Sequence, residues 1–169
     1  MSGFAAKSMG SGSGSAQSGA QATDLSKDYL TIIISGQMFG VPVLQVQDLL
    51  GSQKVTKIPL APPEVAGSLN LRGRIVTAID VRKRLGLEGT APDAPASKNM
   101  SVVIEHENEL YSLIIDRVGD VLTLYDKDFE NNPPTLDPLW RGVSLGIYRL
   151  DKQLLVILDV ARLINSIRG

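Results

Sequence analysis

A chain of 169 residues, 43% hydrophobic and 21% charged, suffices for one compact body or two small lobes sharing a core. It contains no cysteine, which excludes disulfides, thiol nucleophiles and thiolate metal sites and points to a reducing compartment. A net charge of -1 excludes the overall basic surplus with which nucleic-acid binders release counterions.

Residues 1–27 are dominated by Ser, Gly, Ala and Gln, too little apolar surface to offset the entropy of ordering, and they predict a disordered tail. Gly10, Gly12 and Gly14 echo a phosphate-cradling loop, but no strand precedes them and no amphipathic helix follows. Lys7 is not followed by the apolar stretch of a secretion signal. Apolar runs such as Leu154 to Leu158 are strand-sized, far short of the roughly 20 residues that span a bilayer. A cytoplasmic protein without direct membrane contact is expected.

From Asp28 onward the chain reads as short strands bounded by turn residues. Leu30 to Ile34 and Phe39 to Val46 form strands around a Gly36-Gln37 turn, with Phe39, Val41 and Val43 on one face. Pro42 lacks a backbone donor and should face an edge or a bulge. Val55 to Leu60 reads as another strand, and Glu64 to Leu69 as a single helical turn after Pro62-Pro63. Arg72-Gly73-Arg74 turns into the strand Ile75 to Ile79, after which Asp80 caps a short helix that Gly86 ends. Leu87 to Asn99 is a connector. Strands follow at Ser101 to Glu105, Leu110 to Asp116, Val121 to Tyr125, Val143 to Leu150 and Leu154 to Leu158. Asp159 then caps a C-terminal helix, Val160 to Ile167, whose apolar stripe is Leu163, Ile164 and Ile167.

The two halves repeat each other. Phe39, Val41, Val43, Val46, Asp48 and Leu49 align with Tyr111, Leu113, Ile115, Val118, Asp120 and Val121, 72 positions apart (111 − 39). Val76, Ala78, Ile79, Asp80 and Val81 align with Leu155, Ile157, Leu158, Asp159 and Val160, 79 positions apart (155 − 76). The seven extra residues (79 − 72) are placed most simply between Glu130 and Trp140. Two similar small antiparallel barrels are implied, since closure removes the exposed edges of short strands.

No convergent set of nucleophile, base and charge stabiliser emerges. His106 lies between Glu105 and Glu107 at a hairpin turn, without the spacing of a metal-binding helix, and reads as a solvated turn residue. Asp80 and Asp159 read as caps, and Asp116 as the start of a turn with Arg117 and Gly119. Arg72, Arg74, Arg82, Lys83 and Arg84 form a basic cluster, but no aromatic residues are interleaved with them as a single-strand binder requires. A solvated helix face is the plainer reading of Arg82, Lys83 and Arg84.

The run Pro59 to Arg82, PLAPPEVAGSLNLRGRIVTAIDVR, resembles the chemotaxis coupling proteins of the CheW family, through its prolines, Gly67, Asn70-Leu71-Arg72-Gly73 and Ile79-Asp80-Val81-Arg82. Phe39-Gly40-Val41 with Val46-Gln47-Asp48, and Asp116 to Leu122, extend the likeness to about residues 29–167. The resemblance implies a mainly β fold, two SH3-like five-stranded β-barrel subdomains with short helices and a C-terminal helix. These would span residues 28–169, with about 28–86, 99–142 and 143–169 contributing to two intertwined lobes. It implies an adaptor without cofactor, metal or reaction of its own, bound to the regulatory domain of the histidine kinase CheA, to the cytoplasmic tips of chemoreceptors and to further CheW copies in arrays. Carried over by position, Val43, Val46, Asp48, Arg72 and Val118 fall at the receptor-binding surface, and Val55, Lys57 and Gly67 at the kinase-binding one. Thr77 and Ala78 stand where the family usually has a proline, which restores a backbone donor. A scaffold in a non-flagellar pathway and a small-barrel nucleic-acid module are the alternatives.

Overall fold

The computed structural model describes residues 25–89 and 91–168. Most of the Ser/Gly/Ala tail, with Gly10, Gly12 and Gly14, lies outside them. Ten strands fill two sheets: β1 (Ser26–Ile34), β2 (Gln37–Pro42), β3 (Val46–Leu50), β4 (Val65–Leu71), β5 (Arg74–Asp80), β6 (Met100–His106), β7 (Glu109–Ile115), β8 (Arg117–Tyr125), β9 (Ser144–Arg149) and β10 (Leu154–Leu158). Three short helices accompany them, α1 (Val81–Arg84), α2 (Pro138–Arg141) and α3 (Val160–Arg168). The body starts earlier than its composition indicates, because Ser26 and Lys27 already pair with Tyr125 and Leu124.

Two hairpins open the two halves. Ser35-Gly36 and Glu107-Asn108 both hold positive φ at each central residue, the backbone a two-residue turn needs to match strand twist. The registers agree as well: Ile32 faces Phe39 in the first hairpin and Ile104 faces Tyr111 in the second, each partner 72 positions on.

The halves exchange these hairpins. The first barrel has strand order β3-β6-β7-β5-β4 and the second β8-β1-β2-β10-β9, so each joins three strands of one half to the hairpin of the other. The junctions are the parallel pairs β5·β7 and β10·β2, with Ala78 beside Ser112 and Ile157 beside Gly40. All-antiparallel barrels were therefore the wrong expectation: a hairpin borrowed from the other half must run alongside its new neighbour in parallel.

Closure follows from the packing. The outer strands of a flat five-stranded sheet lie roughly 19 Å apart at the usual strand spacing. Yet Leu122 and Leu124 of β8 share one cluster with Tyr148 of β9, together with Tyr29, Leu155 and Ile157. A smaller cluster of Leu69, Val76 and Ala78, flanked by Leu110 and Ile114, fills the first barrel. The largest core lies between the barrels, where Leu30, Ile32, Ile34, Phe39 and Val41 meet Val102, Ile104 and Leu113. Helices seal this seam. Asp80 accepts from the Lys83 N–H at 3.2 Å and Asp159 from the Arg162 N–H at 3.1 Å, starting α1 and α3 at corresponding points. Val81 and Leu85 after one cap, and Val160, Leu163, Ile164 and Ile167 after the other, enter the shared core.

Three local expectations fail. Phe39 to Val46 is not continuous: β2 stops at Pro42, Val43–Gln45 forms a 3-10 turn, and β3 begins at Val46. Parallel β10 meets β2 only at Phe39 and Gly40, so the donorless Pro42 lies beyond that ladder and ends the pairing with β1 opposite Tyr29. Glu64 to Leu69 is not helical but lies largely in β4, since Gly67 and Leu69 alternate into the barrel and tertiary packing outweighs propensity. Val55 to Leu60 is not a strand and pairs with β4 only through a Thr56–Ser68 bridge. That bridge matches one between Glu130 and Ile147, 74 positions from Thr56 (130 − 56), so two of the seven extra residues precede Glu130 and five follow.

Candidate partner-binding surface

Arg72 sits at the tip of the β4–β5 turn with φ +51°, followed by Gly73 with φ +86°, and Asn70 Oδ1 accepts from the Gly73 N–H at 3.0 Å to hold the turn. This presents the guanidinium to Asp48 on β3, the opposite edge strand of the first barrel, with Nη2 to Oδ2 at 2.9 Å. Asp48 Oδ1 accepts from the Leu49 N–H at 2.8 Å, and Oδ2, itself shielded from solvent, lacks a well-aligned donor and is held by charge. The Arg72 side chain remains 75% exposed and that of Asp48 27%. A pair so exposed contributes about 0–1 kcal/mol, enough to fix a surface shape though not a fold.

Val46 and Val118 are duplication counterparts at the starts of β3 and β8, facing Ile104 and Ile32. Both are half-buried, as is Val43 in the 3-10 turn, and all three pack on the core between the barrels. They line the seam without being sealed in it. Beside Val43, Leu44 projects into solvent at 96% exposure, and β3 and β8 carry the exposed counterparts Leu49 and Val121. Sequence reading passed over Leu44 because a strand continued through Pro42 would have turned it elsewhere. The proline itself was the available signal.

Val55, Lys57 and Gly67 meet through the Thr56 bridge. Thr56 and Ser68 exchange N–H···O bonds of 2.8 Å, drawing the Val55 to Lys57 segment across β4. Gly67 makes this possible: a Cβ there would lie 2.2 Å from the Thr56 carbonyl oxygen, and its φ of +150° suits glycine. Its role is thus to position its neighbours, with Val55 turned into the barrel wall and Lys57 exposed. Past Lys57, Ile58 and Leu60 are exposed, and Ile58 lines a pocket of about 260 Å³ with Pro62, Pro63, Ala66 and Lys83. Leu60 adopts φ +64°, unusual for a leucine.

The remaining polar groups are engaged in structure. Asp116, expected to begin an open turn, is buried, and its Oδ2 accepts from the Ser35 N–H at 2.8 Å, the Asp93 N–H at 2.6 Å and Arg82 Nη2 at 3.0 Å. It joins the first hairpin, the connector and α1, with Arg117 and Asp93 paired alongside. Arg82 is accordingly no solvated helix residue; its side chain is 16% exposed and Nη1 donates to the Leu87 carbonyl at 2.6 Å. Arg84 Nε donates to Ser166 on α3 at 2.8 Å. Arg82 and Arg84 of the basic cluster are thereby tied into separate intramolecular contacts, while Lys83 is exposed on the helix face. His106, expected in solvent, has Nε2 3.2 Å from Asn165 Oδ1 on α3. Among the described residues no group of three or more His, Asp or Glu is placed to hold a metal ion. No helix of the described residues is long and apolar enough to cross a membrane.

A family profile described as "CheW-like domain" matches residues 28–168. The chain is 27% identical over 140 residues to a probable chemotaxis protein CheW of Rhizobium etli, covering 83% of this chain and 88% of that one. It is 26% identical over 140 residues to the chemotaxis protein CheW of Klebsiella aerogenes, covering 83% and 82%. The crystal structure of the scaffolding protein TtCheW from Thermoanaerobacter tengcongensis superposes with a TM-score of 0.73 at 24% identity, over 82% of this chain and 88% of that chain.

Proposed function

This chain belongs to the CheW family, and from that premise we propose that it is a chemotaxis adaptor coupling chemoreceptors to a CheA-type histidine kinase and building receptor arrays. It acts in the cytoplasm, is recruited to arrays at the membrane, and works through binding surfaces rather than a reaction centre. The observation that carries the reading is the pairing of Arg72 with Asp48 at 2.9 Å beside a seam lined by half-buried valines. A planar cation clamped at one edge and aliphatic side chains at the seam suit an amphipathic receptor helix, which needs apolar anchors and a charged rim. Val43, Val46, Asp48, Arg72 and Val118 are assigned to that contact. Val55, Lys57 and Gly67, next to the exposed Ile58 and Leu60, are assigned to the kinase regulatory domain.

The test mixes the purified chain with the regulatory domain of its kinase and a receptor signalling fragment. A ternary complex with raised kinase autophosphorylation is expected, and an absence of binding to both partners sinks the reading. Binding without raised phosphorylation would instead identify a scaffold for another pathway. The nucleic-acid alternative loses part of its motivation because Arg82 and Arg84, two of the five basic residues, are engaged within the fold.

A further inference from the structure

The duplication places an equivalent mouth on each barrel, and the two are furnished differently. In the second barrel Tyr29 and Tyr148 meet at a tilt of 57° with ring centroids 5.6 Å apart, and Phe129 meets Tyr148 edge-on at 5.4 Å. The counterparts in the first barrel are Ser101 (29 + 72), Leu69 (148 − 79) and Val55, which precedes the Thr56 bridge as Phe129 precedes the Glu130 bridge. Three rings are thus replaced by a serine, a leucine and a valine. The space they leave is a pocket of about 130 Å³ lined by these residues with Ser112 and Ile114, and rimmed by Ser52, Gln53 and Asn99.

Ser112 sharpens the difference. It is fully buried, and its hydroxyl has no hydrogen-bond partner among the described residues. Its counterpart is Gly40, where a Cβ would lie 2.8 Å from Ile157 Cδ1, so in the second barrel an isoleucine fills the corresponding volume. In the first barrel the smaller Ala78 replaces that isoleucine beside Ser112. An uncharged lining of aliphatic side chains and two buried serines, Ser101 and Ser112, of which the Ser112 hydroxyl is the unpartnered one, disfavours ions. An engineered apolar cavity of about 150 Å³ admits one benzene ring, so the size here suits a single six-membered ring.

We propose that the mouth of the first barrel is a binding site for one phenolic ring, its faces against Val55, Leu69 and Ile114 and its hydroxyl bonded to Ser112. In the second barrel the chain's own Tyr29 and Tyr148 stand at the corresponding positions, where with Phe129 and Ile157 they line a wider pocket of about 390 Å³. A free phenol and a tyrosine side chain of another protein share this chemistry.

The experiment follows amide NMR shifts of the full chain as p-cresol, toluene or N-acetyl-tyrosinamide is added. Shifts confined to the surroundings of Leu69, Ser101 and Ser112 are expected, with p-cresol bound about five- to tenfold more tightly than toluene, the worth of one hydrogen bond. Ser112→Ala is expected to erase that preference while toluene still binds. Ser101→Tyr, which installs the second barrel's residue, is expected to block both; if it fails to fold, the selectivity lost in Ser112→Ala decides. Binding of N-acetyl-tyrosinamide like p-cresol supports the site with a protein tyrosine as source, and binding of p-cresol alone supports it with a free phenol. No shift at millimolar p-cresol, a preference that survives Ser112→Ala, or shifts centred on Tyr29 and Tyr148 would overturn the proposal. The site shares Val55 with the surface assigned to the kinase, but the tested residues, Ser101 and Ser112, are outside both assigned surfaces, so the ring titration is read separately from the adaptor assay.

Discussion

In the first barrel Asp48 on one edge strand meets Arg72 on the opposite turn at 2.9 Å; at the corresponding places of the second barrel stand Asp120 (48 + 72) and Asp151 (72 + 79), two like charges. The second barrel is tied elsewhere, by Arg149 Nε donating to both oxygens of Glu130 at 3.0 and 3.1 Å, where the first has the neutral Asn70 and Thr56. Their interiors diverge too, aromatic in one and small aliphatic in the other. Strand order, registers, bulges and caps nevertheless coincide. Backbone topology therefore rests on alternation, two-residue turns and glycines at close approaches. Side-chain filling was free to diverge, leaving an aromatic-walled pocket of about 390 Å³ at the second barrel and a smaller one of about 130 Å³ at the first, with exposed ion pairs at different places in each.

The comparison breaks most sharply at Asp116, whose counterpart is the exposed Leu44 (116 − 72). Replacing Asp116 with Ala takes the buried carboxylate from the half-buried Arg82 guanidinium, which keeps its bond to the Leu87 carbonyl, and from two backbone donors, a loss of about 3 kcal/mol for an ion pair broken near the interior. Leu44→Ala, measured by the same urea denaturation, should leave stability within about 0.5 kcal/mol. The glycine counterparts test the opposite point, that the frame is common to both barrels. Gly67→Ala and Gly146→Ala each force a side chain to φ near +150° and into the carbonyl oxygen of Thr56 or Glu130. Each should lose about 1–3 kcal/mol from backbone strain alone, and a large inequality between them would refute a shared frame.

Gly67, the second hairpin turn, the Asp80 and Asp159 caps and the buried stripe of α3 were legible in the sequence, whereas the first turn lies at Ser35-Gly36, one residue before the expected Gly36-Gln37. These depend on residues near in sequence, where turn chemistry and periodicity act. Which half donates its hairpin to which barrel is a long-range choice, since a repeat shows equivalent segments without showing their partners. The same holds for Asp116: its three donors come from Ser35, Arg82 and Asp93, brought together only by the exchange. Trp140 was likewise hidden in a stretch read as an insertion, yet its Nε1 donates to the Leu85 carbonyl at 2.9 Å and its ring meets Phe39 edge-on. Arg72 and Asp48 were named from family position, and the structure brings them together; the exposed Leu44, Ile58 and Leu60 around the assigned surfaces were not singled out.

Arg72 separates recognition from stability. Arg72→Asp gives the first barrel the same pair of like charges that the second tolerates at Asp120 and Asp151. Thermal unfolding should therefore change by no more than about 1 kcal/mol. Receptor-fragment binding, measured by titration calorimetry, should weaken at least tenfold. Equal losses in both measurements would mean that the pair holds the barrel shut rather than presenting a surface.

The smallest effect concerns pH and belongs to the second barrel. Tyr148 is buried between Tyr29 and Phe129, and desolvation, reinforced by the neighbouring Tyr29 and the nearby carboxylates of Asp126 and Asp128, pushes its phenol well above the usual tyrosine range. A group whose folded pKa is raised gives stability that is complete below its unfolded pKa, about 10 for tyrosine, and declines as pH climbs from there toward the folded value. Alkaline solution should accordingly weaken this barrel as the unfolded chain releases a proton that the folded one retains. Tyr148→Phe keeps the ring and removes the titration, so its melting temperature should fall less steeply above about pH 10 than that of the parent chain. The first barrel has Leu69 at the corresponding place and contributes nothing of this kind there; an unchanged alkaline slope in Tyr148→Phe would show that the buried phenol is not the source of the loss.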